Sequence, residues 1–231
     1  MNMKLKFFVA ILLTLFIVSV QAQKINHILR VGVNLANVTT TNDGRFDESN
    51  TLTSFQFGLI GDIKLIPVLY LQPGILFTGK GSKVVNGNPD SDVSWYKATF
   101  NPYYIELPLN VVVKSPGKTR VFAGIGPYLG IGVAGKNKVE GKFLGTYFKT
   151  DKSIEFSDDD PTTLGYEEGA GAGIMKRIDY GINALAGVEC HKAVFSFNYG
   201  HGLARIQSGT NNSSGDNDKH RVFSFTVGLR L

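Results

Sequence analysis

Residues 121–133 read Val-Phe-Ala-Gly-Ile-Gly-Pro-Tyr-Leu-Gly-Ile-Gly-Val, and the two sets that alternate along them decide the fold. The odd positions are Val121, Ala123, Ile125, Pro127, Leu129, Ile131 and Val133. The even ones are Phe122, Gly124, Gly126, Tyr128, Gly130 and Gly132. A period of two belongs to a β-strand, whose successive side chains point to opposite faces. Glycine recurring on one set would cost a helix about 1 kcal/mol each time, so a helical reading fails. The preceding segment behaves alike. Tyr103, Ile105, Leu107, Leu109, Val111 and Val113 share one side, with Tyr104, Glu106, Pro108, Asn110 and Val112 opposite. At the end of the chain Phe223, Phe225, Val227, Leu229 and Leu231 oppose Ser224, Thr226, Gly228 and Arg230.

The same alternation runs through Leu29–Ala36, Leu52–Leu65, Leu69–Thr78, Tyr180–Glu189 and Val194–Leu203, which makes about eight strands. Most reach ten residues or more. That exceeds the globular mode of about 5–6 and matches the roughly 9–11 that cross a bilayer on a tilt. The connections alternate too. Tight turns fall near Ile66-Pro67, at Ser115-Pro116-Gly117-Lys118 and near Cys190-His191-Lys192. Longer polar segments fall at Thr39–Thr51, Lys80–Trp95, Lys136–Lys176 and Gln207–Lys219. An even strand count, with short turns at one end and long loops at the other, is the layout of a transmembrane β-barrel.

One face of each strand is nearly all Leu, Ile, Val, Phe or Ala. The other carries Arg30, Asn34, Gln56, Asp62, Gln72, Glu106, Asn110, Asp179, Asn183, Asn198 and Arg230. A soluble sandwich or lipocalin-like barrel turns the apolar face inward, and alternation alone fits either case. Strand length favours the membrane barrel. So do aromatics near strand ends (Phe55, Phe77, Tyr103, Tyr180, Tyr199 and Phe223) that suit interfacial girdles. Glycine on the polar face also fits, because the lumen of an eight-stranded barrel is just wide enough for side chains.

The first residues read as an address. Lys4 and Lys6 precede an apolar run, Phe7–Val20, and small residues before Gln23 offer a cleavage point. This is the pattern of a secretory signal peptide over residues 1–22, the run being too short to span a membrane as a helix. Charge is 24 − 19 = +5 for the chain of 231 residues, and +3 without those two lysines. That is too mild to imply nucleic acid. An aromatic content of 11% argues against disorder. The lone Cys190 excludes an internal disulfide framework and any CxxC-type metal site.

Residues 71–81 (LQPGILFTGKG), 104–109 (YIELPL), 124–130 (GIGPYLG) and the closing alternating strand share order and spacing with a known family. They resemble the outer-membrane β-barrel proteins of Gram-negative bacteria often described as porin family or PorT-like, over essentially the whole chain after residue 22. The resemblance implies an outer-membrane location, a barrel similar in size to the OmpA and OmpX barrels, and little chemistry. Its PorT branch implies a link to a gliding-type protein secretion system. One departure is Leu231, which stands where such barrels usually end in an aromatic. Pro73, Pro108 and Pro127 would ordinarily argue against strands. Here they coincide with the family's motif prolines, so bulges or local kinks are expected at them.

Candidate chemistry is sparse. His27, His191, His201 and His220 have no HxxH or HExxH spacing and read as solvated or interfacial. No GxSxG occurs, and Ser196 and Ser208 near His201 form no recognisable triad order. Gly169–Gly173 reads as a flexible loop end rather than a phosphate loop. Asp158-Asp159-Asp160 with Glu167 and Glu168 fit no EF-hand and read as a solvated acidic loop. The inward-facing charges Arg30, Asp62, Glu106 and Arg230 are the most informative group. A charge inside a narrow barrel must be paired or hydrated, and Glu106 has Arg30 and Arg230 as candidate partners. A salt-bridged plug is expected, with a narrow ion path as the alternative.

The resulting expectation is all-β: an eight-stranded antiparallel transmembrane up-and-down barrel over residues 23–231, behind a signal peptide at 1–22. No catalytic, metal or cofactor site is assigned, and no cofactor is expected. Expected partners are outer-membrane lipid, lipopolysaccharide and other envelope or secretion proteins, with no nucleic acid. The expected function is non-enzymatic, acting through extracellular loops in interaction, envelope integrity or secretion. The 41-residue segment Lys136–Lys176 is the expected binding surface. Alternatives are a small passive pore, a lipid-modifying enzyme using His201, and a soluble lipocalin-like carrier.

Overall fold

The computed structural model describes residues 25–42, 45–48, 51–88, 90, 92–157, 174–206 and 218–231. The expected signal peptide, the acidic run at 158–160 with Glu167 and Glu168, and Gly169–Gly173 lie outside the described residues. Among the described residues there is no helix. The strands are β1 (Ile25–Asn42), β2 (Arg45–Glu48), β3 (Leu52–Ile66), β4 (Leu69–Gly79), β5 (Ser82–Asn86), β6 (Trp95–Lys114), β7 (Thr119–Phe143), β8 (Thr146–Ser153), β9 (Glu155–Phe156), β10 (Ile174–Met175), β11 (Ile178–Cys190), β12 (Ala193–Gly202) and β13 (Lys219–Arg230).

Eight of these close a ring. Antiparallel pairing runs β1–β3–β4–β6–β7–β11–β12–β13, and β13 returns to β1 over Ile28↔Arg230 to Thr39↔Lys219. Each strand pairs with its sequence neighbour in the ring except at the β1–β13 seam, so the topology is an up-and-down barrel. Closure leaves none of the eight with an unpaired edge at barrel level, the condition for backbone to sit in lipid.

The apolar face points out. Ile105, Leu107, Leu109, Val111 and Val113 of β6 are exposed, while Tyr104, Glu106, Asn110, Val112 and Lys114 are buried in the lumen. β1, β7 and β13 repeat the pattern with Val31, Val33, Val121, Ile125, Phe225 and Val227 outside. A wall of exposed Leu, Ile, Val and Phe around an entire barrel is unsustainable in water and suited to a bilayer. This orientation removes the lipocalin-like alternative. The aromatics gather at the long-loop end. Phe55, Phe57, Phe77 and Tyr103 form one patch with ring centroids 5.4–6.2 Å apart, and Phe197, Tyr199, Phe223 and Phe225 another at 4.7–5.7 Å.

Glycines admit the large inward rings. Gly181 pairs with Tyr128 and Gly187 with Phe122; a Cβ on either glycine would come within 2.6 Å of that ring. The prolines behave otherwise than expected. Register shifts occur at Lys64/Ile66 and at Tyr103/Tyr104, not at Pro73, Pro108 or Pro127. Pairing pauses beside Pro73 and Pro108 and resumes in the same register. A missing N–H removes one ladder bond, but the flanking pairs on both sides hold the alignment.

Parts of the long connections form strands that extend beyond the barrel. β6 and β7 run 20 and 25 residues, about twice what a crossing needs. Above the barrel they pair with β5 and β8, forming a four-stranded ribbon that continues the wall outward. Its tip is a two-residue turn, Leu144-Gly145, with φ of 45° and 86°. Two left-handed residues in succession are the requirement of a type I′ hairpin turn.

Candidate functional site

The lumen is filled in layers. At the short-turn end Lys114 Nζ lies 2.8 Å from Asp62 Oδ2 and 3.0 Å from Glu189 Oε2. Arg230 Nη2 lies 2.8 Å from Asp62 Oδ2 and 2.6 Å from Glu189 Oε1. Two cations and two carboxylates thus alternate around a closed square. Gln72 Nε2 donates to the remaining Asp62 oxygen at 2.9 Å, and Lys114 Nζ sits 4.5 Å from the centroid of the Tyr70 ring. Asp62 is fully buried. Charge is tolerated there because each oxygen has a donor and the set is neutral.

Above this square lies an apolar layer containing Ile28, Ile60, Leu76, Val112, Phe122, Leu185 and Val194. A polar cavity of about 30 Å³ follows, lined by Arg30, Gln56, Asn110, Asn183, Asn198 and Ser224 among others. That volume suits a water or two and is far below the roughly 300–1,000 Å³ of small-molecule sites. A second ionic group stands toward the long loops. Lys80 Nζ bridges Glu106 Oε2 and Asp179 Oδ2, both at 2.7 Å, and lies 4.1 Å from the Tyr128 ring centroid. Tyr128 donates to Asp179 at 3.3 Å and Asn183 to Glu106 at 3.3 Å. Arg30, 4% exposed, lines the cavity with Glu106 and is attracted to it. Buried Tyr104 meets His220 edge to face, their rings 5.6 Å apart.

The outer mouth is covered. Ile154, Met175 and Ile206 cluster there with Val38 and Phe156 packed against them, and Phe156 stands edge-on to Tyr104. The cover is tied down by Ile154 N–H to Gly135 O at 3.0 Å and Lys176 N–H to Ile206 O at 2.8 Å.

Arg30, Asp62, Glu106 and Arg230 are all in the lumen, but in two groups rather than one. Arg230 meets Asp62, while Glu106 pairs with Lys80 and shares the cavity lining with Arg30. The expected Glu106–Arg230 pairing does not form, because Arg230 ends β13 at the level of Lys114 and Glu106 lies eight residues above Lys114 on β6. Lys80, Lys114, Asp179 and Glu189 complete the groups. All four are legible by parity. Lys80 continues Gln72, Gly74, Leu76, Thr78; Lys114 continues Asn110, Val112; Asp179 and Glu189 bracket Asn183 and Leu185. Placing strand ends at the turns hides the two lysines.

The histidines scatter. His220 is buried, not solvated or interfacial as expected, and His191 lies in a short turn. His201 Nδ1 lies 3.3 Å from Tyr199 OH on the outer wall, whereas the Ser196 hydroxyl faces inward to Thr226. Ser196 and His201 therefore lie on opposite faces of β12. Among the described residues no group of three or more His, Cys, Asp or Glu is placed to hold a metal ion.

The ribbon presents two features to the outside. Its outward face, continuous with the lipid-facing wall, carries Lys83, Lys97, Lys136, Lys138, Lys142 and Lys149 against Glu140 and Asp151. Lys97 and Lys138 pair with those acids at 3.4 and 3.8 Å. At its tip Val93, Phe143, Leu144 and Tyr147 are 58–74% exposed.

A family model described as outer membrane protein beta-barrel domain matches residues 21–208. No curated protein matches the chain. Among solved structures the chain is similar to Ail, the attachment invasion locus protein of Yersinia pestis, crystallised in complex with the heparin analogue sucrose octasulfate. Identity is 12%, coverage 90% of this chain and 99% of that one, and the TM-score 0.41. It is also similar to Neisserial surface protein A, NspA, at 9% identity, 89% and 97% coverage, and a TM-score of 0.42.

Proposed function

Since the chain belongs to the outer membrane protein beta-barrel domain family and is an outer-membrane protein, we propose that it is a sealed, non-enzymatic barrel that works through its outer surface. The role is that of an interaction, envelope-integrity or secretion-accessory component. The observation that carries this reading is the lumen: a salt-bridged square, an apolar layer, a water-sized cavity, a second ion group and a cover succeed one another along the axis. Among the described residues such a stack offers ions no continuous path. It also explains why the long strands are better read as a rigid stalk for the ribbon. Loops and hairpins held on a stiff scaffold commonly carry recognition, and this one offers exposed aromatic and aliphatic groups at its tip.

Two measurements test it. In planar bilayers the purified protein is expected to give no steady openings, and stepwise conductance overturns the sealed reading. Deletion of the protein is expected to produce an envelope defect, and a version with Phe143→Ser, Leu144→Asn and Tyr147→Ser is expected to insert normally yet leave that defect uncorrected. Full correction by that version removes the ribbon tip from the function.

A further inference from the structure

At the long-loop end, beside β11, lies an open crevice of about 570 Å³, lined by Lys176, Ile178, Tyr180, Leu203, Ala204, Arg205 and Lys219. Among the described residues three cations and no carboxylate line it. Its lower part is apolar: Ile178, Tyr180 and Leu203 are 41–51% exposed and belong to the outward set that contacts lipid, Ile178 pairing with Ile131 and Tyr180 with Leu129. Leu203 and Ala204 are fastened to this level by N–H donors to Tyr180 O at 2.8 and 3.2 Å. Lys176 is fixed through its N–H to Ile206 O at 2.8 Å, and Lys219 by its pairing with Thr39. The cations thus stand on the long-loop side of the aromatic level marked by Tyr180, Tyr199 and Phe223, while the apolar lining continues into the belt.

We infer that this crevice binds the phosphate-bearing headgroup of an outer-leaflet lipid, the phosphate held by Lys176, Arg205 and Lys219 and the chains running down past Leu203, Ile178 and Tyr180. Charge complementarity selects an anion. Continuity with the lipid-facing wall selects an amphiphile over a soluble one, since a free anion has no use for the apolar half. The guanidinium supplies a forked donor suited to phosphate, and the two ammonium groups supply point charge. The site depends on the outer-membrane setting alone and not on a sealed lumen or a ribbon partner.

The test uses the full-length protein in phosphatidylcholine nanodiscs doped with a bisphosphorylated glycolipid of the lipid A type, with retained glycolipid counted by native mass spectrometry. Each cation near a membrane surface contributes about fivefold to anionic lipid binding, so K176Q/R205Q/K219Q is expected to weaken retention by about a hundredfold. K64Q/K118Q/K192Q removes the same charge at the short-turn end and is expected to retain glycolipid like the parent. Both variants must shift on heating in a denaturing gel, which shows that they have folded. Undiminished retention by the first variant overturns the proposal, as does an equal loss in the second. Release of the glycolipid by millimolar inorganic phosphate would show a site for free anions and overturn the lipid assignment.

Discussion

Lys114 shows what a single side chain contributes to this lumen. It is 2% exposed and touches two carboxylates, so its removal leaves Asp62 and Glu189 facing one remaining cation. Breaking a buried ion group by deleting one member costs about 3–5 kcal/mol. Lys114→Met is therefore expected to lower the unfolding free energy measured by urea titration in micelles by that amount, whereas Lys118→Met, in the adjacent exposed turn, leaves it within about 0.5 kcal/mol. Gly187 is the steric counterpart. A Cβ there would run into the Phe195 carbonyl oxygen and then the Phe122 ring, so Gly187→Ala is expected to destabilise by about 1–3 kcal/mol through overpacking. Alternation along each strand suffices to place Arg30, Asp62, Glu106 and Arg230 inside. Their partners depend on the shear of the barrel, which fixes which inward residues share a level, and no single strand encodes that offset.

At the scale of the element, β7 joins two functions in one run. Residues 119–131 pair with β11 in the barrel wall, and residues 136–143 pair with β8 in the ribbon. The lower half is plain in the sequence because lipid on one face and a lumen on the other impose strict alternation. The upper half has water on its outer face and no lipid to demand apolar residues there, so Lys136, Lys138, Glu140 and Lys142 read as loop. What marks it as strand is the Leu144-Gly145 turn. Replacing residues 139–150 by Asn-Gly is expected to leave a barrel that still shifts on heating, since all β7–β11 contacts remain. A loss of the shift would mean that the ribbon is needed for closure.

For the whole molecule the decisive property is the outward apolar wall. Leu109, 44% exposed near mid-strand, faces lipid; Leu109→Arg is expected to cost about 2–4 kcal/mol of unfolding free energy in phosphatidylcholine vesicles. The same change on a water-facing surface would be near neutral. Closure predicts a second whole-molecule behaviour: the unboiled protein is expected to migrate differently from the boiled one in a denaturing gel, because each barrel strand is bonded on both sides.

The salt-bridged square also joins the two ends of the chain electrically. Asp62, Lys114 and Glu189 come from β3, β6 and β11, and together they carry one net negative charge, −1 + 1 − 1. Arg230, 168 residues beyond Asp62, arrives on the final strand and brings the balance to zero. An unfinished sheet therefore harbours an uncompensated anion at the seam that β13 must fill. β13 closes the cylinder and neutralises its floor with the same residues, so a copy lacking its final residues is both open and charged at that end.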